Sequence, residues 1–224
     1  MKLAVLFTGG KDSTYALYLA QKQKHHISCL ITLKSANPDS YMFHTPAIDL
    51  TELQAKALGL PIVFGTTLGQ KEEELKDLEK TIQKAQKKYS FDGLLTGALF
   101  SEYQSGRIEK IAQKLGLKVI SPLWHKSQEK ELMELLDLNF EFILTAVAAE
   151  GLDYHWLNKV ITLKEVNLLK KLNVNCAGEG GEYESLVLDC PLFKQKLVIE
   201  ETELKIESKN TARLIIKKVR LVNK

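Results

Sequence analysis

A doubly wound parallel α/β sheet followed by a smaller C-terminal α+β lobe is the fold this chain predicts, on three observations. Short, wholly apolar segments alternate with helical ones through the first half, as in parallel strands buried on both faces. A glycine turn stands directly between the first strand and the first helix, where open α/β sheets bind their ligands. Beyond Pro122 the alternation gives way to longer segments and a final pair of strands. The length agrees. At 224 residues and 45% apolar content, the chain can bury roughly 70% of its unfolded surface, enough for one large domain or two small ones.

The elements follow in order. Strands are expected at Leu3–Phe7, Ile27–Leu33, Ile62–Phe64, Leu94–Thr96 and Val119–Ile120. Between them the pattern predicts helices over Ser13–Lys24, Thr51–Leu58 (stopped by Gly59), Glu72–Tyr89 and Arg107–Leu115 (stopped by Gly116). After a boundary near Ser121–Lys126, a helix is expected over Ser127–Leu136, an apolar strand over Phe140–Ala148 and a helix over Thr162–Leu172. From Leu186 the chain reads as strand, with Lys196–Glu207 and Arg213–Val222 joined by a turn at Ser208-Lys209-Asn210.

The turn Thr8-Gly9-Gly10-Lys11-Asp12-Ser13 carries the most chemistry. Glycines let backbone N–H groups close on an anion, and the following helix points its positive end toward that anion. Lys11 adds a point charge, and Ser13 adds a hydroxyl in the first helical turn. A polyphosphate fits such a cradle. The Walker pattern G-x-x-x-x-G-K-[ST] is absent. Asp12 would repel phosphate directly, so it either caps the helix amides or works through a divalent cation.

Two further segments stand out. Gly97–Arg107 follows the fourth strand and packs Glu102, Tyr103, Gln104 and Arg107 onto the same sheet edge as the glycine turn. An ordinary helix entrance, capped by Ser101 or Ser105 with Arg107 paired to a surface Glu, would carry the same residues. Gly178–Ser185 interleaves Glu179, Glu182 and Glu184 with glycines beside Tyr183. Three carboxylates so close repel unless a cation sits among them, and a tyrosine ring offers a face to one. A plain acidic turn ahead of a strand is the alternative.

Bulk properties exclude several classes. Cys29, Cys176 and Cys190 are scattered, with no C-x-x-C pair, as in a reducing cytoplasm. No apolar run approaches eighteen residues, so neither a membrane span nor a signal peptide is expected. The net charge of +3, with lysines spread along helices and the tail, does not indicate nucleic-acid binding. His25, His26, His125 and His155 read as surface or capping groups, while His44 lies in a loop suited to line a cleft.

The glycine turn resembles the SGGKDS loop of the PP-loop ATP pyrophosphatases, with Thr8 in place of Ser and the hydroxyl retained. Three segments together resemble the diphthine–ammonia ligase family: Thr8–Ser13, the run LFSEYQ..RIE over Leu99–Glu109, and EGGEYES over Glu179–Ser185. The tail EYESLVLDCPLF and the stretch YMFHT over Tyr41–Thr45 fit the same family. Ser105-Gly106 departs from it where members often carry an Arg. The resemblance implies a HUP-like PP-loop ATP-binding domain over 1–123 and a substrate-binding α+β domain over 124–224. It implies ATP and Mg2+ as cofactors, with Thr8, Gly9, Gly10, Lys11, Asp12, Ser13 and Gly97 on the nucleotide and Asp12 toward the metal. Lys11, Asp12, Glu102, Arg107 and Glu182 would be catalytic. His44, Tyr103, Gln104, Glu179, Gly180, Gly181, Glu182, Tyr183, Glu184 and Ser185 would bind substrate.

The implied reaction is the last step of diphthamide formation in the cytoplasm. A modified histidine of elongation factor 2, carrying a trimethylammonium and a carboxylate, becomes an amide through an acyl-adenylate attacked by ammonia. The quaternary ammonium has no N–H, so the Glu179–Glu184 acids and Tyr183 would recognise it, with Tyr103 or Trp124 assisting. No glutaminase is expected, since position 2 is Lys and no cysteine sits in a glycine-rich elbow, so free ammonia is the nitrogen donor. Two other readings stand beside this one: an adenylating enzyme for a small carboxylate, as in cobinamide salvage, and a nucleotide-binding protein without turnover. Assembly into a homo-oligomer is left open.

Overall fold

The computed structural model describes residues 1–37, 47–70, 72–99, 102–172 and 174–224, with residues 102–104 described by backbone alone. The chain forms two compact units, one of Met1–Thr8 and Asp12–Trp124, the other of Gly9–Lys11 and His125–Lys224.

In the first unit, β1 (Lys2–Leu6), β2 (His26–Ser35), β3 (Ile62–Thr67), β4 (Gly93–Leu95) and β5 (Lys118–Ile120) form a parallel sheet in the order β3-β2-β1-β4-β5. The chain winds outward from β1 to β3, then crosses back to β4 on the other side of β1. Direction therefore reverses between β1 and β4, and ligands of open α/β sheets bind beyond the carboxyl ends at such a reversal. Leu3, Ala4 and Val5 of β1 and Leu94 and Leu95 of β4 are fully buried, as central parallel strands require.

Helices α1 (Lys11–Lys22), α2 (Thr51–Leu58), α3 (Glu73–Lys88) and α4 (Glu102–Lys114) connect these strands. Leu78, Ile82 and Ala85 of α3 and Ile108, Ile111 and Ala112 of α4 share one core with Ala4, Ile31 and Leu94. Gly59 ends α2 at φ 68, a left-handed turn that glycine takes without a Cβ penalty. Helix α4 starts five residues earlier than its expected start at Arg107. Gly106 does not break it, because one interior glycine costs only about 0.5–1 kcal/mol, which burial of Ile108, Ile111 and Ala112 offsets.

In the second unit, β6 (Glu141–Ala148), β7 (Tyr183–Asp189), β8 (Gln195–Ser208) and β9 (Thr211–Asn223) form an antiparallel sheet in the order β7-β6-β9-β8. Pairing with β6 draws Tyr183, Glu184 and Ser185 into β7, so the strand begins ahead of the expected Leu186. Helices α5 (Gln128–Asp137) and α6 (Leu163–Leu169) complete the unit.

Helix α6 opens with a capping box in which the Thr162 hydroxyl and the Glu165 carboxylate each serve the other's end of the turn. Burial alone would raise the Glu165 pKa, but the Lys159 ammonium at 2.8 Å and the hydroxyl and amide of Thr162 together hold it at about 2, against 4.5. A carboxylate depressed in this way stabilises the fold above its unfolded pKa, and the contribution disappears as pH falls through the folded one. Glu165→Gln is therefore expected to flatten the acid limb of the stability curve between about pH 4.5 and 2, read by urea unfolding across that window. An unchanged limb would show that Glu165 does not carry this linkage.

Candidate functional site

β1 runs out at Leu6, and after a short loop the backbone enters α1 at Lys11, two residues before the expected Ser13. Gly9 takes φ 80, a left-handed conformation that permits the tight reversal. The Thr8 amide donates to Ser13 Oγ at 3.3 Å, and the two hydroxyls lie 3.2 Å apart. The turn is thus closed on itself by its two hydroxyl residues. Gly97, after β4, lies against the same helical turn: a Cβ there would stand 2.7 Å from the Asp12 carbonyl carbon and the Ser13 nitrogen. Only glycine allows this approach, which lays the β4 exit against the helix entrance. Asp12 sits half-buried in the first turn, where a carboxylate complements the helix dipole.

Gly9–Lys11 groups with the second unit, and its hydrogen bonds show why. The Val187 amide donates to the Gly9 carbonyl at 3.0 Å, and the Lys11 amide donates to Ser185 Oγ at 3.1 Å. Both partners lie on β7, at the end of its sheet, so the glycine turn covers part of an edge that would otherwise present open backbone groups. The Lys11 side chain is fully buried, with Nζ 5.8 Å from the Tyr183 ring centroid. An ammonium at that distance is attracted by the ring's quadrupole.

The segment leading into β7 is tied down from within. Asn175 Oδ1 accepts from the amides of Ala177 and Glu179, and the Glu182 carboxylate accepts from the Asn175 amide. The Tyr183 hydroxyl donates to the Cys176 carbonyl at 2.6 Å, and the ring is 4% exposed. Gly178 takes φ 75, and a Cβ there would meet the Tyr183 ring at 2.7 Å. Gly180 and Gly181, both at φ 81, have open space about them. Two of the residues expected to receive a cationic substrate therefore have internal work: Tyr183 lies beneath Lys11, and Glu182 closes its own loop. Glu179 and Glu184 are half-buried on the same segment.

Arg107 and Ser105 have partners of their own within the first unit. Arg107 Nη2 pairs with Glu72 Oε1 at 2.6 Å, an ion pair between the start of α3 and α4. Ser105 Oγ lies 3.3 Å from Glu109 Oε1. Glu102, Tyr103 and Gln104 fall in the first turn of α4 by backbone, and His44 lies outside the described residues. Sequence reasoning missed Asn175 and Glu72. An Asx residue three positions before a glycine, as in Asn175-Cys176-Ala177-Gly178, is a local turn signal that points to the first. Nothing local points to the second.

Burial pushes the Cys29 thiol up to about 12 and the Cys190 thiol to about 11, and also raises Cys176. None has the character of a thiolate nucleophile. Among the described residues no group of three His, Cys, Asp or Glu stands together to hold a metal, and no helix is long and apolar enough to cross a membrane.

Comparison with known proteins places both units. Residues 1–119 match the family model of the diphthamide synthase N-terminal domain, and residues 127–222 match that of the diphthamide synthase C-terminal domain. The diphthine–ammonia ligase of Rattus norvegicus is 36% identical, over 93% of this chain and 86% of its own length. That of Homo sapiens is 34% identical over the same shares. A solved structure of a predicted subunit of tRNA methyltransferase from Methanocaldococcus jannaschii resembles the chain at TM-score 0.46 and 20% identity, covering 85% of this chain and 98% of its own.

Proposed function

The chain belongs to the diphthamide synthase family, and we propose that it is an ATP-dependent diphthine–ammonia ligase whose nucleotide site is the Thr8–Ser13 turn. One observation carries this reading: the Lys11 amide of the phosphate turn is bonded to Ser185, the last residue of the EGGEYES segment that marks the family. The ATP-handling residue and the family's own motif are thereby parts of one constellation.

The chemistry follows from the residues. A carboxylate is a poor electrophile. Its oxygen attacks the α-phosphorus of ATP, the α–β bridging bond breaks, and pyrophosphate leaves. Ammonia then adds to the acyl carbon, loses a proton, and expels AMP with the original carboxylate oxygen. The burden on the protein is the charge gathered on the departing pyrophosphate. Lys11, shielded from water, is worth more against that charge than a solvated lysine would be. The N-terminus of α1 adds its dipole, and Gly97 keeps the adjoining backbone close. A small apolar recess at the ends of β1 and β2, lined by Phe7, Ile31, Leu33 and Ile48, adjoins the turn at Thr8.

Mg2+ fits the residues present. It binds hard oxygens, commonly one or two carboxylates with the substrate's phosphates completing the shell, and Asp12 supplies a half-buried carboxylate at the phosphate turn. Bound there, the ion would screen the phosphate oxygens. Two roles shift from those the motifs suggested. Tyr183 holds Lys11, and Glu182 fixes the loop that presents Tyr183. The three raised thiols favour free ammonia over an internal glutaminase. Elongation factor 2, in the cytoplasm, is the protein substrate under this reading.

The test is pyrophosphate release on mixing the protein with ATP, ammonium and elongation factor 2 bearing the trimethylated histidine. Release that requires both the factor and ammonium is expected. Release with small carboxylates and no factor, or none at all, would overturn the assignment.

Ser185→Ala removes the acceptor of the Lys11 amide. Losing a hydrogen bond of this kind costs about 0.5–1.5 kcal/mol, so the urea midpoint is expected to fall and kcat with it by about tenfold. Ser185→Thr, which keeps the hydroxyl, should recover most of both. If Ser185→Ala matched the wild type in kcat, the hydroxyl would not be positioning Lys11.

A further inference from the structure

The first unit holds a second site, an open groove of about 420 Å³ lined by Ser105, Gly106, Glu109, Val119, Ser121 and Trp124. Resting on the ligase reading, we propose that this groove, and not the Glu179–Ser185 segment, receives the quaternary ammonium of the substrate.

The groove has the chemistry this group demands. A trimethylated nitrogen offers no hydrogen bond, so it is held by an aromatic face and a nearby carboxylate. Trp124 is the strongest such face among side chains, and it is half-buried on the lining of the groove. Glu109 stands on the same lining, its Oε1 held 3.3 Å from Ser105 Oγ. Val119 gives the methyl groups an apolar contact, and Gly106, with nothing within 4 Å of its missing Cβ, keeps the groove open.

Its place in the fold is also right. Ser121 and Trp124 follow β5, and Ser105–Glu109 belong to the early turns of α4, so the groove opens at the carboxyl edge of the parallel sheet. β5 is separated from β1 by β4 alone, a span of about 10 Å at ordinary strand spacing. A side chain seated there can carry its carboxylate toward an α-phosphate standing off the turn after β1. Tyr183 is not available for the purpose: it is 4% exposed and lies beneath the Lys11 ammonium.

Two measurements test this. In the first, the two indole N–H resonances are followed by NMR during titration with trimethylglycine, and separately with 3,3-dimethylbutanoate, which has the same shape and carboxylate without the positive charge. The Trp124 resonance is expected to shift saturably with trimethylglycine alone while Trp156 stays still, and Glu109→Gln should weaken the effect about fivefold. No shift at Trp124, or equal shifts with both compounds, would overturn the proposal. In the second, Trp124→Ala is expected to raise KM for the modified factor about tenfold, with KM for ATP unchanged and kcat within twofold, and Trp124→Phe to recover most of the loss. If Trp124→Ala unfolds, the exposed Glu109→Gln carries the same KM measurement. A wild-type KM in these variants overturns the groove. A wild-type protein without factor-dependent turnover overturns the ligase reading instead, and the NMR titration then judges the groove by itself.

Discussion

Lys11→Met is expected to lower kcat for pyrophosphate release by about 10²–10³-fold, the loss typical of removing one preorganised charge-stabilising donor. Methionine nearly keeps the volume of the buried side chain and deletes only its charge. Water cannot readily take the ammonium's place, because Lys11 has no exposed surface. The amide that positions the residue is on the backbone and survives the change. Circular dichroism and a melting curve separate lost charge from lost fold. A folded Lys11→Met with kcat within tenfold of the wild type would mean that the departing pyrophosphate is held by other groups.

Gly97→Ala should be the most damaging change of a single methyl group. Its new carbon would lie 2.7 Å from two backbone atoms of the first turn of α1, with an oxygen of the same turn at 2.9 Å. Backbone cannot swing aside as a lysine tip can, so either the β4 exit or the helix entrance must move. Overpacking of this kind costs about 1–3 kcal/mol, and the displaced amides are those proposed to meet phosphate. ATP affinity is expected to fall at least tenfold, read by isothermal titration, together with a lower urea midpoint. Gly106→Ala makes the contrast: its Cβ meets nothing within 4 Å, and alanine in a helix interior gains about 0.5–1 kcal/mol over glycine. If Gly97→Ala bound ATP normally, the contact would be slack in solution.

Much of this was legible in the sequence, because much of it is local. The alternation of apolar strands and helices fixes a parallel sheet by itself, and Thr8–Ser13 is recognisable because glycine, lysine and hydroxyl act within one turn. Boundaries drifted where tertiary pairing decided them. β7 starts at Tyr183 because β6 pairs with it, although the flanking Glu182 and Glu184 suggest a turn. The roles within EGGEYES were not legible. Residue types there indicate a cation site, and a cation is indeed over the Tyr183 ring, but it is the chain's own Lys11. A contact spanning so many residues leaves no mark on either neighbourhood. Arg107 and Glu72 are a second case: each looks like an ordinary surface charge until α3 and α4 bring them to 2.6 Å.

The bond from the Lys11 amide to Ser185 closes a separation of 174 residues. A ribosome moving at about 5–20 residues per second would finish β1 to β5 several seconds before it delivers β7. Through that interval the turn is closed by Thr8 and Ser13 alone, and the bonds from Ser185 and Val187 to Lys11 and Gly9 arrive only late in synthesis. Under the proposed assignment of this turn to ATP, the newborn chain spends that time with its nucleotide site lacking two of the bonds that fix it.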